Sequence, residues 1–150
     1  MISRVLIIED NKNKLKKVKE TAMKLLPAAS VHDAISYTGG IRRIYEEQWD
    51  LILLDMTLPV YDITPHDNGG DRRSTAGKEI MKRMQNRGKI IPTIIITQFD
   101  TFGESGLSIS NLNDEFSNDL KEIWKGTVNY VDASNKWQID LKNIINNLQE

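Results

Sequence analysis

The segment Asp50-Leu-Ile-Leu-Leu-Asp55-Met-Thr-Leu-Pro59 decides how this chain folds. Its apolar residues 51–54 form an unbroken run, which is typical of a strand buried on both faces of a parallel sheet. The run ends at Asp55, so a carboxylate comes directly after the buried strand. In parallel sheets covered by helices, functional residues collect at the carboxyl ends of the strands. The segment therefore predicts a central strand and the edge of the sheet where a site belongs.

Similar apolar runs occur along the rest of the chain and alternate with helical patterns. They predict four further strands, at residues 5–8, 29–32, 90–97 and 127–131. Between them, apolar residues recur at the spacing of one helix face, as at Leu15, Val18 and Ala22. Strands that alternate with helices favour a parallel sheet with helices on both faces. We therefore predict an α/β fold of five βα units in one domain, residues 1–150.

Composition excludes several classes of function. The chain has 20 basic and 21 acidic residues, a net charge of −1, and this gives no reason to expect direct binding to nucleic acid or to a membrane surface. It has no cysteine, so disulfides, thiolate zinc sites and cysteine nucleophiles are excluded. Its apolar runs are far shorter than the roughly 20 residues that span a bilayer, and too short for a signal peptide. We expect a cytoplasmic protein.

Acidic residues follow two of the predicted strands. Glu9 and Asp10 follow the first strand and Asp55 follows the third, while Thr97 ends the fourth. If the first and third strands are neighbours, the carboxylates meet, and their like charges raise one another's pKa values unless a cation lies among them. Mg²⁺ suits such oxygens and commonly accompanies phosphate, and a carboxylate beside it can become an acyl phosphate. The alternative is that these acids only cap the following helices.

Three segments of the chain resemble the receiver domains of two-component response regulators. They are Val5-Leu-Ile-Ile-Glu9-Asp10-Asn11, the segment 50–59 quoted above, and Ile94-Ile-Ile-Thr97. The resemblance covers nearly the whole chain. It implies a flavodoxin-like, doubly wound sheet of five parallel strands in the order 2-1-3-4-5. It also implies Mg²⁺-dependent transfer of a phosphoryl group from a histidine kinase or a histidine phosphotransfer protein.

The resemblance further implies roles for individual residues at the acidic edge. Asp55 would be the phosphoacceptor. Asp10 would bind Mg²⁺ directly, Glu9 would do so largely through water, and Thr57 would contribute its backbone carbonyl.

Two more residues would belong to the conformational switch of the family. Thr97 would hydrogen-bond the phosphoryl group and move inward when it arrives, and Tyr130 lies at the place of the family's switch aromatic. The last predicted helix ends within two residues of Glu150, so we expect a stand-alone receiver. Its output would be a contact with a downstream protein, or a role in a phosphorelay.

The chain departs from the family at a lysine that normally lies three residues beyond the aromatic. Here Ala133 and Ser134 hold the places of that lysine and of the proline that usually follows it. A lysine about 4 Å from the phosphoryl oxygens would contribute roughly 4 kcal/mol at an effective dielectric of about 20. Its loss should weaken phosphoryl stabilisation unless Lys136, Arg72 or Arg73 replaces it.

Other departures concern access to the site and its surroundings. Gln98 stands where the family prefers a small residue, and it could restrict the path to Asp55 or hydrogen-bond the phosphoryl group. A polar insertion at about 60–75 and a long loop at about 98–111 exceed the usual lengths. The insertion is either a lid or partner surface, or a disordered excursion.

Two interpretations stay open from the sequence. The predicted first helix carries a set of lysines that is either a solvated face or a docking surface for the phosphodonor: Lys12, Lys14, Lys16, Lys17, Lys19 and Lys24. The whole chain could also be a pseudo-receiver, an interaction module that is independent of phosphorylation. The missing lysine and Gln98 favour that alternative. The retained carboxylates argue against it, since an interaction scaffold has no physical need for clustered acids.

Overall fold

A five-stranded parallel sheet forms the centre of the computed structural model, which describes residues 1–98 and 109–150. Its strands are β1 (Arg4–Ile8), β2 (Ser30–Ala34), β3 (Leu51–Leu54), β6 (Thr93–Thr97) and β7 (Trp124–Asn129). They lie in the order β2-β1-β3-β6-β7, and every neighbouring pair is parallel. Counted within this sheet alone, the order is 2-1-3-4-5. The predicted flavodoxin-like, doubly wound topology is therefore confirmed.

In the described parts of the chain, five helices cover the two faces of the sheet. They are α1 (Lys12–Leu25), α2 (Tyr37–Glu46), α3 (Ala76–Asn86), α4 (Ile109–Asp119) and α5 (Lys136–Leu148). Helices α1 and α5 pack on one face through Val18 and Trp137, among other residues. Helices α2, α3 and α4 pack on the other through Ile44, Met81 and Phe116. Across the described ranges, no helix has the length and apolar character needed to cross a membrane.

Both faces of the central strands are buried, which explains their unbroken apolar runs. In β1, Leu6 and Ile8 join the core beneath α2, α3 and α4, while Val5 and Ile7 join the core beneath α1 and α5. Successive side chains of a strand point to opposite faces, so a strand covered on both sides has no polar alternation.

The ends of some elements differ from the predictions. Strand β6 begins at Thr93 rather than at residue 90, and β7 begins at Trp124 rather than at residue 127. Ile123 lies between α4 and β7 and is fully buried. The pattern of apolar residues therefore could not show where the helix ends and the strand begins. Of the predicted loop at 98–111, residues 99–108 lie outside the described residues.

The polar insertion folds as an antiparallel hairpin. Its base is the ribbon of β4 (Leu58–Pro59) and β5 (Arg72–Arg73), in which Pro59 lies opposite Arg72. Beyond the ribbon, the Tyr61 N–H donates to the Gly69 carbonyl at 2.9 Å. Gly69 has a φ of +89°, and a Cβ there would meet Ile63 Cγ1 at 2.7 Å, so the turn requires glycine. The hairpin brings β5 back to the carboxyl edge of the sheet.

Candidate functional site

The pairing of β1 with β3 brings the acidic residues together. Ile8 lies opposite Leu54, so Glu9 and Asp55, each one residue further on, leave the sheet side by side. The Asp55 N–H donates to the Ile8 carbonyl at 3.1 Å and extends the pairing by one step. One carboxylate oxygen from each of Glu9, Asp10 and Asp55 lies within 4.8 Å of the others. The convergence expected from the sequence is therefore present.

Asp55 is held in place by its own backbone and by α3. The Met56 N–H donates to Asp55 Oδ1 at 2.8 Å, and the Gly77 N–H donates to the Met56 carbonyl at 3.0 Å. A Cβ at Gly77 would lie 2.7 Å from the Asp55 carbonyl oxygen, so only glycine lets the first turn of α3 approach so closely. The side chain of Asp55 is largely buried, and the part of it that remains accessible lines a cleft.

The cleft, with a volume of about 340 Å³, collects most of the residues proposed from the sequence. Glu9, Asp55, Thr57, Thr97 and Tyr130 line it, and Asp10 belongs to the adjoining acidic cluster. The backbone N–H of Tyr130 donates to the Thr97 carbonyl at 2.9 Å. The sheet thus brings all of these residues to one edge.

A lysine that the sequence predictions did not single out lies beside Asp55. Lys14 Nζ is 3.3 Å from Asp55 Oδ1 and 2.6 Å from Glu9 Oε1, and it donates to the Ile96 carbonyl at 2.7 Å. Asn11 caps α1 by accepting the Lys14 N–H, so Lys14 lies in the first turn. Long helical side chains point back toward the helix N-terminus, which here faces the acidic edge. Lys14 is 6% exposed.

The spacing along α1 was the signal that could have identified Lys14. It precedes Val18 by four residues and Thr21 by seven, and both of these are buried, so Lys14 lies on the inward stripe of the helix. Lysine is almost never fully buried without a partner. A lysine on that stripe, directly after acidic strand ends, predicts an ion pair with them.

The three residues that the sequence left open as replacements for the family's lysine lie in different places. Lys136 does not replace it, because its ammonium pairs with Asp140 at 2.7 Å and its side chain is 79% exposed. Arg73 pairs with Glu79 at 3.1 Å, away from the acidic edge. Among the candidates named from the sequence, only Arg72 reaches the acidic cluster.

The guanidinium of Arg72 forms a bidentate hydrogen bond with the carboxylate of Asp10. Nη1 donates to Asp10 Oδ2 at 2.8 Å, and Nη2 donates to Oδ1 at 3.1 Å. Nη2 also lies 3.4 Å from the Thr57 carbonyl oxygen. The hydrogen bond to Asp10 is the main cause that raises the pKa of Arg72, with smaller contributions from the charges of Asp55 and Glu9. The oxygens that Arg72 contacts are among those that the resemblance assigns to Mg²⁺.

Tyr130 links the cleft to α5. Its side chain is buried, its hydroxyl donates to Asp132 Oδ1 at 2.8 Å, and its ring centre lies 5.0 Å from that of Trp137. Burial, helped by the hydrogen bond to Asp132, raises the pKa of Tyr130, so the phenol stays protonated. Gln98 also lines the cleft, and its side chain is exposed there.

Burial perturbs the carboxyl of Glu9. Desolvation and, after it, the charge of Asp55 raise its pKa, the ammonium of Lys14 lowers it, and the net result is a rise from 4.5 to about 7. When no metal is bound, Glu9 therefore keeps its proton to higher pH than an ordinary glutamate.

The raised pKa of Glu9 predicts that the metal-free protein loses stability as the pH rises. The folded state binds the proton more tightly than the unfolded chain, so this stabilisation is complete below pH 4.5 and is lost as the pH passes about 7. We expect a loss on the order of 1–3 kcal/mol between about pH 4.5 and pH 8. Urea unfolding in EDTA across this range measures it. Glu9→Gln should flatten the profile, and an unchanged slope in that variant would contradict the assignment.

Comparisons with known proteins agree with this architecture. No protein-family model matches the chain. The Detocs response regulatory protein DtcB of Enterobacter cloacae (strain JD6301) is 34% identical over 142 residues, which are 92% of this chain and 95% of the relative. A response regulator receiver domain from Clostridium thermocellum superposes with a TM-score of 0.60 at 17% identity, over 99% of this chain and 98% of the other.

A second solved structure bears on the acidic cluster. The receiver domain of a sensor histidine kinase from Pseudomonas aeruginosa PAO1 is described with a magnesium ion coordinated in its active site cleft. It superposes with a TM-score of 0.57 at 17% identity, over 97% of this chain and 95% of the other. At this identity the likeness concerns the fold.

The sheet order and the acidic cluster at its carboxyl edge define a receiver domain. The relative that matches nearly the full chain is itself a response regulatory protein. The chain belongs to the response regulator receiver family, and its role is that of a response regulator.

Proposed function

We propose that this protein accepts a phosphoryl group on Asp55 with the help of Mg²⁺. The donor would be a histidine kinase or a histidine phosphotransfer protein, and the output would be a contact with a downstream protein. The observation that carries the proposal is the meeting of carboxylate oxygens from Glu9, Asp10 and Asp55 within 4.8 Å, with Lys14 Nζ 3.3 Å from Asp55.

The donor atoms at this edge fit Mg²⁺. The ion prefers oxygen ligands, usually one or two carboxylates together with several waters. Asp10 and Asp55 would supply carboxylates, Thr57 its backbone carbonyl, and Glu9 a contact through water. When bound, the ion neutralises negative charge on the transferring phosphoryl oxygens.

The chemistry requires a carboxylate nucleophile that faces the cleft. Oδ1 of Asp55 already accepts from the Met56 N–H and pairs with Lys14, so we assign the attack to Oδ2. A bond forms between Oδ2 and phosphorus while the bond from phosphorus to the donor's histidine nitrogen breaks. The electron pair of that bond goes to the nitrogen, and Asp55 becomes an acyl phosphate. Lys14 is placed to balance the added negative charge.

The switch would begin at Thr97. Its position at the end of β6, on the wall of the cleft, suits a hydrogen bond from its hydroxyl to the phosphoryl group. A shift of Thr97 would reach Tyr130 through the backbone hydrogen bond that joins them, and then Trp137 through the contact between the rings. The surface formed by β6, α4 and Tyr130 is therefore the one proposed to meet the downstream protein.

Incubation with acetyl phosphate tests the proposed function. We expect intact-mass spectrometry to show one added phosphoryl group in Mg²⁺ and none in EDTA, because the three carboxylates outnumber Lys14 and Arg72 at this edge and repel the donor unless Mg²⁺ is bound. Beryllofluoride with Mg²⁺ should also change tryptophan fluorescence, since the Trp137 ring centre lies 5.0 Å from that of Tyr130. The absence of both the adduct and the Mg²⁺-dependent signal would contradict the proposal.

A pseudo-receiver is the second candidate, and one observation favours it. The guanidinium of Arg72 already satisfies both carboxylate oxygens of Asp10, so the cluster has a cation of its own. Such a protein would keep the receiver fold as an interaction module without a phosphoryl group. The absence of both signals in the acetyl phosphate and beryllofluoride experiments is the result that this candidate predicts.

A further inference from the structure

We infer that Arg72 competes with the divalent cation for the acidic site and so sets its affinity for metal. The inference rests on the proposed function, because it concerns the same site. Three contacts carry it: Nη1 and Nη2 donate to the two carboxylate oxygens of Asp10, and Nη2 lies 3.4 Å from the Thr57 carbonyl. A carboxylate and a carbonyl that bind this guanidinium are less available to a metal ion.

Arg72 and a metal ion compete for these oxygens. A guanidinium that holds a carboxylate in bidentate fashion occupies one lone pair of each oxygen, and it repels a second positive charge a few ångströms away. Metal binding to Asp10 is therefore weaker while Arg72 stays than after it leaves. Its side chain is 51% exposed, so it has open solvent to move into, while the Asp10 side chain is only 12% exposed.

Backbone pairing within the hairpin positions Arg72 beside Asp10. Arg72 lies opposite Pro59 in the ribbon, and the Val60 N–H donates to the Asp71 carbonyl at 3.2 Å. The far side of the hairpin is tied to α2, because the Thr38 N–H donates to the Val60 carbonyl at 3.0 Å. The position of the Arg72 backbone is therefore fixed, and exchange with the metal needs only a side-chain movement.

The next residue provides a matched control. Arg73 is the neighbour of Arg72 in β5, but it pairs with Glu79 and lies over the ring of Tyr37, with its guanidinium carbon 5.1 Å from the ring centre. Successive residues of a strand face opposite sides, so the two arginines share charge, strand and exposure but not the site. The same substitution at Arg73 removes the same charge without freeing Asp10.

Calorimetric titration with Mg²⁺ of the full chain and two variants tests the inference. We expect Arg72→Gln to bind Mg²⁺ about five- to tenfold more tightly than the parent, and Arg73→Gln to bind within about twofold of it. A gain in affinity cannot arise from partial unfolding. Unchanged or weaker binding by Arg72→Gln would overturn the inference, as would binding by neither the parent nor that variant.

Phosphoryl uptake separates this inference from the proposed function. Tighter Mg²⁺ binding by Arg72→Gln without uptake from acetyl phosphate in any protein would uphold the competition and contradict the proposed function. Mg²⁺-dependent uptake by the parent, with no change of Mg²⁺ affinity in Arg72→Gln, would support the proposed function and contradict the competition. Uptake by the parent in EDTA that is lost in Arg72→Gln would overturn the competition, because Arg72 would then replace the metal.

Discussion

Asp55→Ala is expected to take up no phosphoryl group from acetyl phosphate, under conditions in which the parent protein gains one. The alanine has no oxygen to attack phosphorus, and the other carboxylates of the cluster are already engaged. Glu9 pairs with Lys14 at 2.6 Å, and Asp10 binds either Arg72, at 2.8 Å, or the metal ion that takes its place. Intact-mass spectrometry in Mg²⁺ measures the result, and peptide mapping of the parent should place the group on Asp55.

Two further variants separate chemistry from folding. Asp55→Asn keeps the shape of the side chain and removes its charge, so it should also take up nothing and should stay folded. Asp140→Asn makes the same change on α5, where Asp140 pairs with the exposed Lys136, and it should take up phosphoryl like the parent. Parent-level uptake by Asp55→Ala would show that another residue is the acceptor.

The carboxylate half of the site could be predicted from the sequence because strand pairing determines it. A run such as 51–54 forms a central strand in any parallel sheet, and the residue after it must leave at the carboxyl edge. The observed register of Ile8 with Leu54 then places Glu9 beside Asp55. These positions depend on backbone geometry that short apolar runs specify well.

The cationic half of the site depends on geometry that local patterns specify poorly. Six lysines lie between residues 12 and 24, and only the spacing of Lys14 from the buried Val18 and Thr21 marks it as the one that faces inward. Arg72 reaches Asp10 only because the hairpin pairs it with Pro59 across a long connection. Charge alone could not distinguish Arg72 from Arg73, or Lys14 from Lys136, since the members of each pair differ in their tertiary contacts.

Lys14→Met is expected to lower the rate of phosphoryl uptake by about 100-fold. Lys14 is 6% exposed, and its ammonium lies 3.3 Å from Asp55. One charge at about 4 Å is worth roughly 4 kcal/mol at an effective dielectric of about 20, and part of that is spent on Glu9 in the resting state. Methionine keeps the length and apolar stem of lysine without its charge. The rate is measured by intact mass over time, with acetyl phosphate and Mg²⁺.

Lys16→Met is the matched control, because Lys16 is exposed on the same helix and its loss should leave the rate unchanged. The Lys14 variant also leaves Glu9 and Asp55 buried without their ammonium, so it should unfold at lower urea, and rates are compared where both proteins are folded.

Adding Ala133→Lys to Lys14→Met distinguishes a role in the reaction from a role in folding. Ala133 is exposed and occupies the place of the family's lysine, so a lysine there can return a positive charge to the cleft without rebuilding the buried ion pair. Recovery of uptake without recovery of stability would show that the reaction needs the charge and not the packing of α1. A folded Lys14→Met protein that reacts as fast as the parent would instead mean that Lys14 only neutralises Glu9. Another positive charge would then stabilise the phosphoryl group.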